Sequence, residues 1–558
     1  MDLAGMRKQD DALATRLETE RSSWDSHWTD LAAHFLPRSS RFSTDERNRG
    51  SKKNTKLING APARSARTLT AGMFSRITSP ARPWFAYTVE DQDLAKYQPV
   101  KEWLDDSTRR IRGILAGSNY YKSTPAMFRD LGVFGTHAQL IDEDDDDVVR
   151  CYPFPIGSYC LSNSARLAVD LCVRKFAMTA RQLAQRFGVE NCPAEVASCL
   201  KNNPEQWFDD VVHIAGPNPN HNPRMLDSRF KRYSSRYFLQ RDAHRYLSLK
   251  GYDEYPIIAP RWQTNGEDVY GESPAMLALP DARSLMIYER RLAQGLEKKV
   301  NPPLKAPLDM KQEGIDPQPG KTVFSGNTEK IGSLYDGNTF QLGEADAKAQ
   351  RLENAIASTL YVDLFLMMTN SDRRQITAEE IRARQEEQIL AIGEPLERLN
   401  DEALGPALDR IYAIADRRGM IAPPPPELVE YQRRMGNAKA VKVSYVSALH
   451  QVQRMVKLGQ IDRAVQFLGS TAGAFPDVLD GFDFDQAWDE YAEGVGLPPK
   501  IVRSQEERQK RRGARAQAQA QQQQIANAAT AVDGAKVMSE TDTGGQNALT
   551  DLMRSVGA

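Results

Sequence analysis

The order of apolar and polar residues along the chain switches between two periods. Leu3, Leu13, Leu17, Trp24, Trp28, Leu31 and Phe35 recur at steps of three and four with a few longer gaps, which predicts a helix over residues 2–36 ended by Pro37. Ala66, Leu69, Met73 and Ile77 predict a second helix from Ala61 that stops before Pro80, and residues 100–135 form a further helical region. The period then shortens to two. Apolar segments at 138–141 and 148–152 flank the acidic run Asp142–Asp147, the pattern of two strands joined by a solvated turn. Residues 151–176 also alternate, and strands return within 210–262 at Val211–Ile214, Ser235–Leu239 and Tyr255–Ile258. Between these segments, Met178–Gly188 reads as a short helix with Thr179 as N-cap and Gly188 just past its end.

After residue 280 the longer period resumes. Leu285, Ile287, Tyr288, Leu292 and Leu296 predict a helix over 281–300, stopped by Asn301-Pro302-Pro303. Residues 301–343 are rich in Pro and Gly with short strand-like pieces, and a second helix runs from about Ala345 to Met367. A small β-rich module therefore sits between two helices, like the tip of a helical hairpin. Beyond the polar break Thr369–Arg374, nine apolar residues from Ile376 to Ile411 carry a helix from about 377 to 418. Thr377-Ala-Glu-Glu380 is a capping box at its start, and Gly419 lies past its end. Pro395 and Pro406 are expected to bend or interrupt it. Pro423–Pro426 is a stiff linker and a candidate domain boundary, and residues 440–497 read as helical. The last fifty or so residues are low in complexity, a basic stretch followed by Ala/Gln repeats. They cannot bury a core alone and are either disordered or a helix borrowed from an assembly. The whole pattern predicts a mixed α+β, largely helical fold.

Composition narrows the function. At about 150 residues per domain, 558 residues are three or four domains' worth of chain. The 73 basic and 74 acidic side chains leave a formal net charge of -1, which excludes a uniformly basic DNA binder but not local patches. Such a patch exists: residues 38–76 hold ten Lys/Arg against Asp45 and Glu46, a local charge of about +8. No run of about 18 apolar residues predicts a membrane span, and Met1–Glu20 lacks the apolar core of a secretory leader. The chain is expected in a cytoplasm, or in something assembled there. Five cysteines without C-x-x-C spacing read as buried reduced thiols.

Motifs of catalysis are missing where they would be needed. Gly314 and Gly320-Lys321-Thr322 imitate a phosphate-binding loop, but five residues rather than four separate the glycines, and two of them are proline. No apolar strand precedes this segment and no helix is predicted after it, so its amides would not form an anion nest. The acidic run lacks calcium-loop spacing. The seven histidines form no His-Glu-x-x-His, and there is no Gly-x-Ser-x-Gly elbow. No catalytic, metal or cofactor site is expected.

Several segments together resemble a known family. They are Trp28–Phe42, Gly72–Pro80 with Arg82-Pro-Trp-Phe85, Tyr270–Pro280, Val300–Pro303, Thr377–Glu387, and Pro476–Asp480 with Asp483–Asp485. As an ordered set over roughly residues 20–512, this resembles the portal, or head-to-tail connector, proteins of short-tailed, podovirus-type bacteriophages. The resemblance implies a homo-oligomeric ring, usually a dodecamer, at one capsid vertex in the virion. It also implies a subunit with a peripheral wing, a helical stem, a β-rich clip and a helical crown. On this chain the wing would take residues 1–270 and the stem helices 271–300 and 345–367. The clip would be 301–344, the channel loop 368–376, a long wing helix with linker 377–425 and the crown 426–512; the low-complexity residues 513–558, outside the resemblance, are expected to be a flexible tail. The implied work is mechanical. The ring conducts double-stranded DNA during packaging and ejection and docks the terminase motor and later tail adaptor or nozzle proteins. It is set among major capsid and scaffolding protein, with no membrane and no cofactor.

DNA must slide through such a channel, so sparse, nonspecific cations suit it better than base-reading contacts. Arg373 and Arg374 in the channel loop and Lys298 and Lys299 at the stem–clip junction are the expected channel residues. The two lysines equally suit the carbonyl end of a helix dipole. Lys305, Lys311, Lys321 and Lys330 are the expected docking residues of the clip. Two rival readings stand beside this one: a packaging ATPase, and a scaffold or adaptor without a channel.

Overall fold

A single helix, α1 (Leu3–Phe35), opens the chain in the computed structural model. The structure describes residues 3–39, 41–42, 55–300, 304–305, 332–333, 342–366, 393–435, 441–445, 448–471, 481–495, 497, 501–503, 505–540 and 554–555. The buried seam of α1 is Arg7, Asp10, Ala14, Leu17, Arg21, Trp28, Leu31 and Phe35, at steps of three, four and seven. The longer gaps in its apolar pattern are therefore filled by buried charges. The Arg7 guanidinium donates to the Leu239 carbonyl at 2.9 Å and lies 3.6 Å from the centre of the Phe238 ring. Asp10 pairs with Arg236 at 3.2 Å and accepts from the Tyr246 hydroxyl at 2.8 Å. Arg21 donates to the Tyr159 carbonyl at 2.8 Å. Each buried charge has a partner, as the cost of desolvating it requires.

The elements that follow are α2 (Ala61–Ile77), β1 (Phe85–Val89), α3 (Gln92–Lys96), α4 (Gln98–Gly117) and α5 (Tyr120–Phe134). Then come β2 (Gln139–Asp144), β3 (Val148–Pro153), β4 (Tyr159–Asn163), β5 (Val169–Thr179), α6 (Ala180–Phe187) and α7 (Ala194–Asn202). The strands β6 (Trp207–Pro217), β7 (Tyr233–Leu239), β8 (Ser248–Tyr252) and β9 (Ile257–Ile258) lead to α8 (Pro274–Val300). Further on lie α9 (Leu342–Thr359) and α10 (Val362–Leu366). The chain divides into two units. One holds residues 1–87, 107–423 and 443–449; the other holds 88–106, 424–442 and 450–558.

In the first unit, β4-β5-β6-β7-β8 form one antiparallel sheet in that order. Alternation along its strands sorts the two faces. Val211, Tyr237 and Leu239 pack with Leu183 of α6 and Val196 of α7, whereas Val212, Ile214 and Phe238 pack with Ala14 and Leu17 of α1. Both faces are covered, so β6 is buried without alternation from Val211 to Gly216. α6 is capped as expected: Thr179 and Gln182 form a reciprocal capping box, and Gly188 lies past its end at φ 84°. Four cysteines are buried and Cys199 is half-buried; burial pushes the Cys151 thiol up to about 11 and Cys160 up to about 12, which suppresses their thiolates.

The acidic run is a hairpin, but only part of its charge is solvated. Arg150 pairs with Asp144 at 3.6 Å and with Asp147 at 3.5 Å, the Tyr252 hydroxyl donates to Asp142 at 3.2 Å, and the Asp144 carboxylate accepts from the Asp146 amide at 2.9 Å inside the turn. Beyond it, Glu143 takes Arg417 at 2.9 Å and Asp145 takes Arg418 at 3.5 Å. These arginines end the helix Gly405–Arg417, where cations also offset the carbonyl dipole. That helix is preceded by Gly393–Leu399 and a π-helical turn, Asn400–Leu404; residues 377–392 of the expected long helix lie outside the described residues. Pro406 lacks an amide hydrogen, so the regular ladder cannot run through it. The Asn400 carbonyl at the widened turn accepts from the Gly405 amide and from the Tyr445 hydroxyl at 3.2 Å. Tyr445 ends a strand, Val441–Tyr445, in a segment expected to be helical; alternation of half-buried Val441, Val443 and Tyr445 with exposed Lys442 and Ser444 carries it.

The second unit is largely helical among its described residues, with Pro426–Met435, Phe484–Val495 and Gln505–Glu540 among its helices. The last of these is exposed from Gln509 to Asp533. Arg508 grips Asp489 with both carboxylate oxygens at 2.6 and 2.7 Å, and Arg512 grips Asp485 at 2.6 and 2.8 Å. The Arg512 hydrogen bond holds the Asp485 carboxyl below its ordinary value.

One buried histidine sets a pH dependence. His213 of β6 stacks on Tyr237 with centroids 3.9 Å apart and lies 3.0 Å from the Ser235 hydroxyl. Burial, then Arg186 and Arg174, hold it well below its ordinary value. The unfolded chain therefore takes the proton first, so the stabilisation is whole above about pH 6.5 and is lost as pH falls below it. The first unit should lose up to about 1.4 kcal/mol per pH unit from this group between pH 6.5 and 5. Chemical denaturation at stepped pH checks this. His213→Gln should flatten the slope, and an unchanged slope would contradict the assignment.

Candidate functional site: the root and outer face of the α8–α9 pair

Tyr270-Gly271-Glu272-Ser273-Pro274 lies where α8 begins, and each of these residues has a mechanical task there; the Glu272 amide donates to the Gln263 carbonyl at 2.7 Å. Tyr270 packs against Trp24 and Trp28 of α1, at 5.7 and 5.1 Å between ring centres, and its hydroxyl accepts from the Leu161 amide at 3.1 Å. Trp28 in turn donates its indole hydrogen to the Phe134 carbonyl at 3.2 Å. Gly271 donates its amide to the Thr136 hydroxyl at 2.8 Å. The Ser273 hydroxyl donates to the Val133 carbonyl at 2.7 Å and accepts from the Met276 amide, which caps α8. Pro274 takes the first helical position, where no amide hydrogen is needed. α8 thus starts seven residues before the helix the periodicity predicts, running through Pro280.

Gly271 and Gly135 meet backbone to backbone. A Cβ on Gly135, at φ 74°, would lie 2.1 Å from the Gly271 oxygen, and one on Gly271 would lie 2.4 Å from the Gly135 oxygen. Neither position admits a side chain. A third glycine acts in the same way: a Cβ on Gly72 of α2 would fall 2.2 Å from the Phe365 ring of α10. The segments Trp28–Phe42, Gly72–Pro80 and Tyr270–Pro280 each contribute residues to this region.

α8 and α9 bury a narrow seam, with Leu285 and Met286 on one helix and Ala349, Leu352 and Ile356 on the other. Asn59 ties them together. Its amide nitrogen donates to Glu289 of α8 at 2.7 Å and to Glu353 of α9 at 2.6 Å, while its oxygen accepts from the Ala61 amide at the start of α2. Arg283 and Lys56 both pair with Asp30 of α1. The predicted single helix 345–367 is broken: α9 ends at Thr359, and Tyr361 sits at φ 56° before α10. A bulky side chain in the left-handed region is strained, and packing against Trp262 at 6.2 Å holds it there.

The outer face of α8 is open in the single chain. Leu277 is 75% exposed, Ile287 56%, Leu296 54% and Val300 77%. Leu277, Asp281, Ser284, Tyr288, Gly295 and Lys299 follow one line along the helix at helical spacing. Lys298 and Lys299 are exposed in the last turn of α8, as both of their readings require. Arg290 and Arg291, which sequence reasoning passed over, are exposed on the same half. Lys305 lies in the two-residue strand Leu304–Lys305, paired with Gly332–Ser333. Arg373, Arg374, Lys311, Lys321 and Lys330 lie outside the described residues. Among the described residues, no group of three or more His, Cys, Asp or Glu could hold a metal ion, and no helix is long and apolar enough to cross a membrane.

The close approach at the root is measurable. Gly271→Ala should cost about 3 kcal/mol through overpacking, and Asn59→Ala about 1 kcal/mol through the hydrogen bonds it removes. Gly113→Ala, in α4 with open space around it, should be neutral or slightly stabilising. Thermal unfolding of the three variants checks the order, and equal midpoints would remove the junction as a constraint.

The bacteriophage head to tail connecting protein family matches residues 7–502. The portal protein of Salmonella phage epsilon15 is 40% identical over 550 residues, covering 97% of each chain. The probable portal protein of Bordetella phage BPP-1 is 35% identical over 544 residues, covering 97% of this chain and 96% of that one. The match includes α1, the glycine junction and the α8–α9 pair, and on it the chain belongs to the family of bacteriophage head-to-tail connecting, or portal, proteins.

Proposed function

We propose that copies of this chain close into a ring, a dodecamer in the form usual for such connectors, and that double-stranded DNA enters and leaves the phage head through its centre. The observation that carries this reading is the outer half of α8, which places Ile287, Tyr288, Leu296 and Val300 in water beside Arg290, Arg291, Lys298 and Lys299. A lone helix face of this kind leaves apolar area unburied. Neighbouring copies would cover the apolar positions and leave the cations repeated around an axis. In this reading residues 271–300 and 345–367 are the stem, 301–344 the clip, 368–376 the channel loop and 426–512 the crown. Residues 1–270 and 377–425 make the wing, and 513–558 the tail. The ring is assembled in the host cytoplasm among capsid and scaffolding proteins. Terminase docks at the clip lysines Lys305, Lys311, Lys321 and Lys330, and tail adaptor proteins follow.

The physical demand on such a bore is weak, repeated attraction. Each phosphate neutralised contributes about 0.9 to the slope of log affinity against log salt, without reading sequence. Sparse lysines give slippage; dense ones would give a trap. A net charge of -1 over the whole chain is compatible with that demand.

Electron microscopy of the purified chain should show rings with a hole that admits B-form DNA, and only monomers or compact dimers would contradict the proposal. Lys298→Ala with Lys299→Ala should leave rings intact and lower the salt slope of DNA binding by about 0.9 for each phosphate no longer neutralised. Arg373→Ala with Arg374→Ala should leave rings intact yet alter packaging or retention of DNA; if both are unchanged, the channel-loop assignment falls. ATP hydrolysis by the purified chain would favour the packaging motor instead.

A further inference from the structure

The connection from β6 to β7, Asn218–Arg232, presents two apolar side chains to water from a well-held frame. Leu226 is 102% exposed and Met225 49%. The frame beneath them is built by hydrogen bonds. The Asn218 amide nitrogen donates to the carbonyls of Arg229 at 2.8 Å and Lys231 at 2.7 Å. The Asn222 amide donates to the Phe230 carbonyl at 2.9 Å, and the Met225 amide to the Asn222 carbonyl at 3.1 Å. β8 runs close below: a Cβ on Gly251 would lie 2.5 Å from the Ser228 oxygen. A loop fixed in this way has given up its conformational freedom before any partner arrives, which lowers the entropy cost of binding. Exposed apolar side chains on such a loop are a mark of recognition.

The charge around the tip says what it meets. Residues 218–232 carry Arg224, Arg229, Lys231 and Arg232 against Asp227, a formal net charge of +3. Arg229 is bound to Asp227 at 2.6 Å and Lys231 to Asp253 at 2.8 Å, while Arg232 lies 5.5 Å from the Tyr233 ring centre. Much of the cationic surface is therefore committed sideways, and the apex itself is methionine and leucine. DNA offers phosphates to cations, but it takes an aliphatic apex mainly by unstacking a base step, at a cost of a few kcal/mol. A protein surface with an apolar pocket and an acidic rim satisfies both parts.

We propose that the β6–β7 connection is a docking element that seats Met225 and Leu226 in an acid-rimmed apolar pocket of the protein shell of the head. This rests on the connector reading above, since a connector must be fixed into the shell. Met225 and Leu226 serve as the anchor and Arg224 as the rim contact that speeds and orients docking.

The test uses the full chain co-expressed with the shell protein of the same phage, counting connector copies per shell by quantitative gel and checking rings by microscopy. Leu226→Asp should form rings as the unaltered chain does, with incorporation into shells reduced at least tenfold. Leu226→Met should keep incorporation within about twofold, because volume and polarity are conserved. Arg224→Glu should reduce incorporation by a smaller factor that vanishes in high salt. Unchanged incorporation of Leu226→Asp would overturn the proposal. So would absence of rings in that variant, which would place the tip between copies, or normal incorporation with impaired DNA retention, which would place it against DNA. Absence of rings from the unaltered chain would instead remove the connector reading. Docking is then read separately, from co-sedimentation of the unassembled chain with assembled shells.

Discussion

Two backbone segments that touch with no side chain between them, at Gly135 and Gly271, fix where α8 leaves the first unit. The rest of the helix pair depends on that contact. Tyr270 is wedged against two tryptophans of α1 one residue before it, and Ser273 caps α8 two residues after it. Moving this point by a methyl group would shift the start of a 27-residue helix, and a small angular error at its root grows along its length. Asn59 then holds the second helix to the first through Glu353 and Glu289. A part meant to stand at a defined angle in a larger assembly needs a root of this kind.

The root is rigid, and the outer face is unfinished. Toward its end α8 gives up burial within its own chain, yet it keeps leucine, isoleucine, tyrosine and valine there. The proposed ring gives that economy a reason: in it the apolar positions are held for copies of the same chain, and the cations between them for a polyanion. Heterologous contacts between identical copies close into a ring when the rotation between neighbours completes a full turn without a rise, which requires that it be fixed. The rigid root is what could fix it.

Much of the architecture could be read from residue order. α2 and most of α8 declare themselves by period, α6 by its caps, and the acidic hairpin by its flanking apolar segments. What could not be read has a common cause: hydropathy counts a buried charge as polar. Arg7, Asp10 and Arg21 carry the α1 seam but look like gaps in it. Arg261 is buried in a fork with Glu402 at 2.7 and 3.2 Å and donates to the Leu167 carbonyl at 2.8 Å, and no pattern marks it. Arg410 is hidden in the same way, donating to the Ile141 carbonyl at 2.7 Å. The π turn before Pro406 is legible as an interruption but not as a kind of turn. At the site, the segment Tyr270–Pro280 stands out by resemblance, and the resemblance does not say what it does. Gly135 and Asn59 stand in none of the matching segments. A glycine closing a buried helix is the one signal for Gly135; for Asn59 there is none, because its partners lie 230 and 294 residues away.

In the proposed ring the outer face of α8 is completed by neighbouring copies. Hydroxyl-radical footprinting of the unaltered chain, as dissociated monomer and as assembled ring, measures this most directly at Ile287, Tyr288 and Leu296. All three should be strongly oxidised in the monomer and protected several-fold in the ring, with Leu226 at the β6–β7 tip reactive in both. Equal oxidation of the three residues in monomer and ring would contradict it.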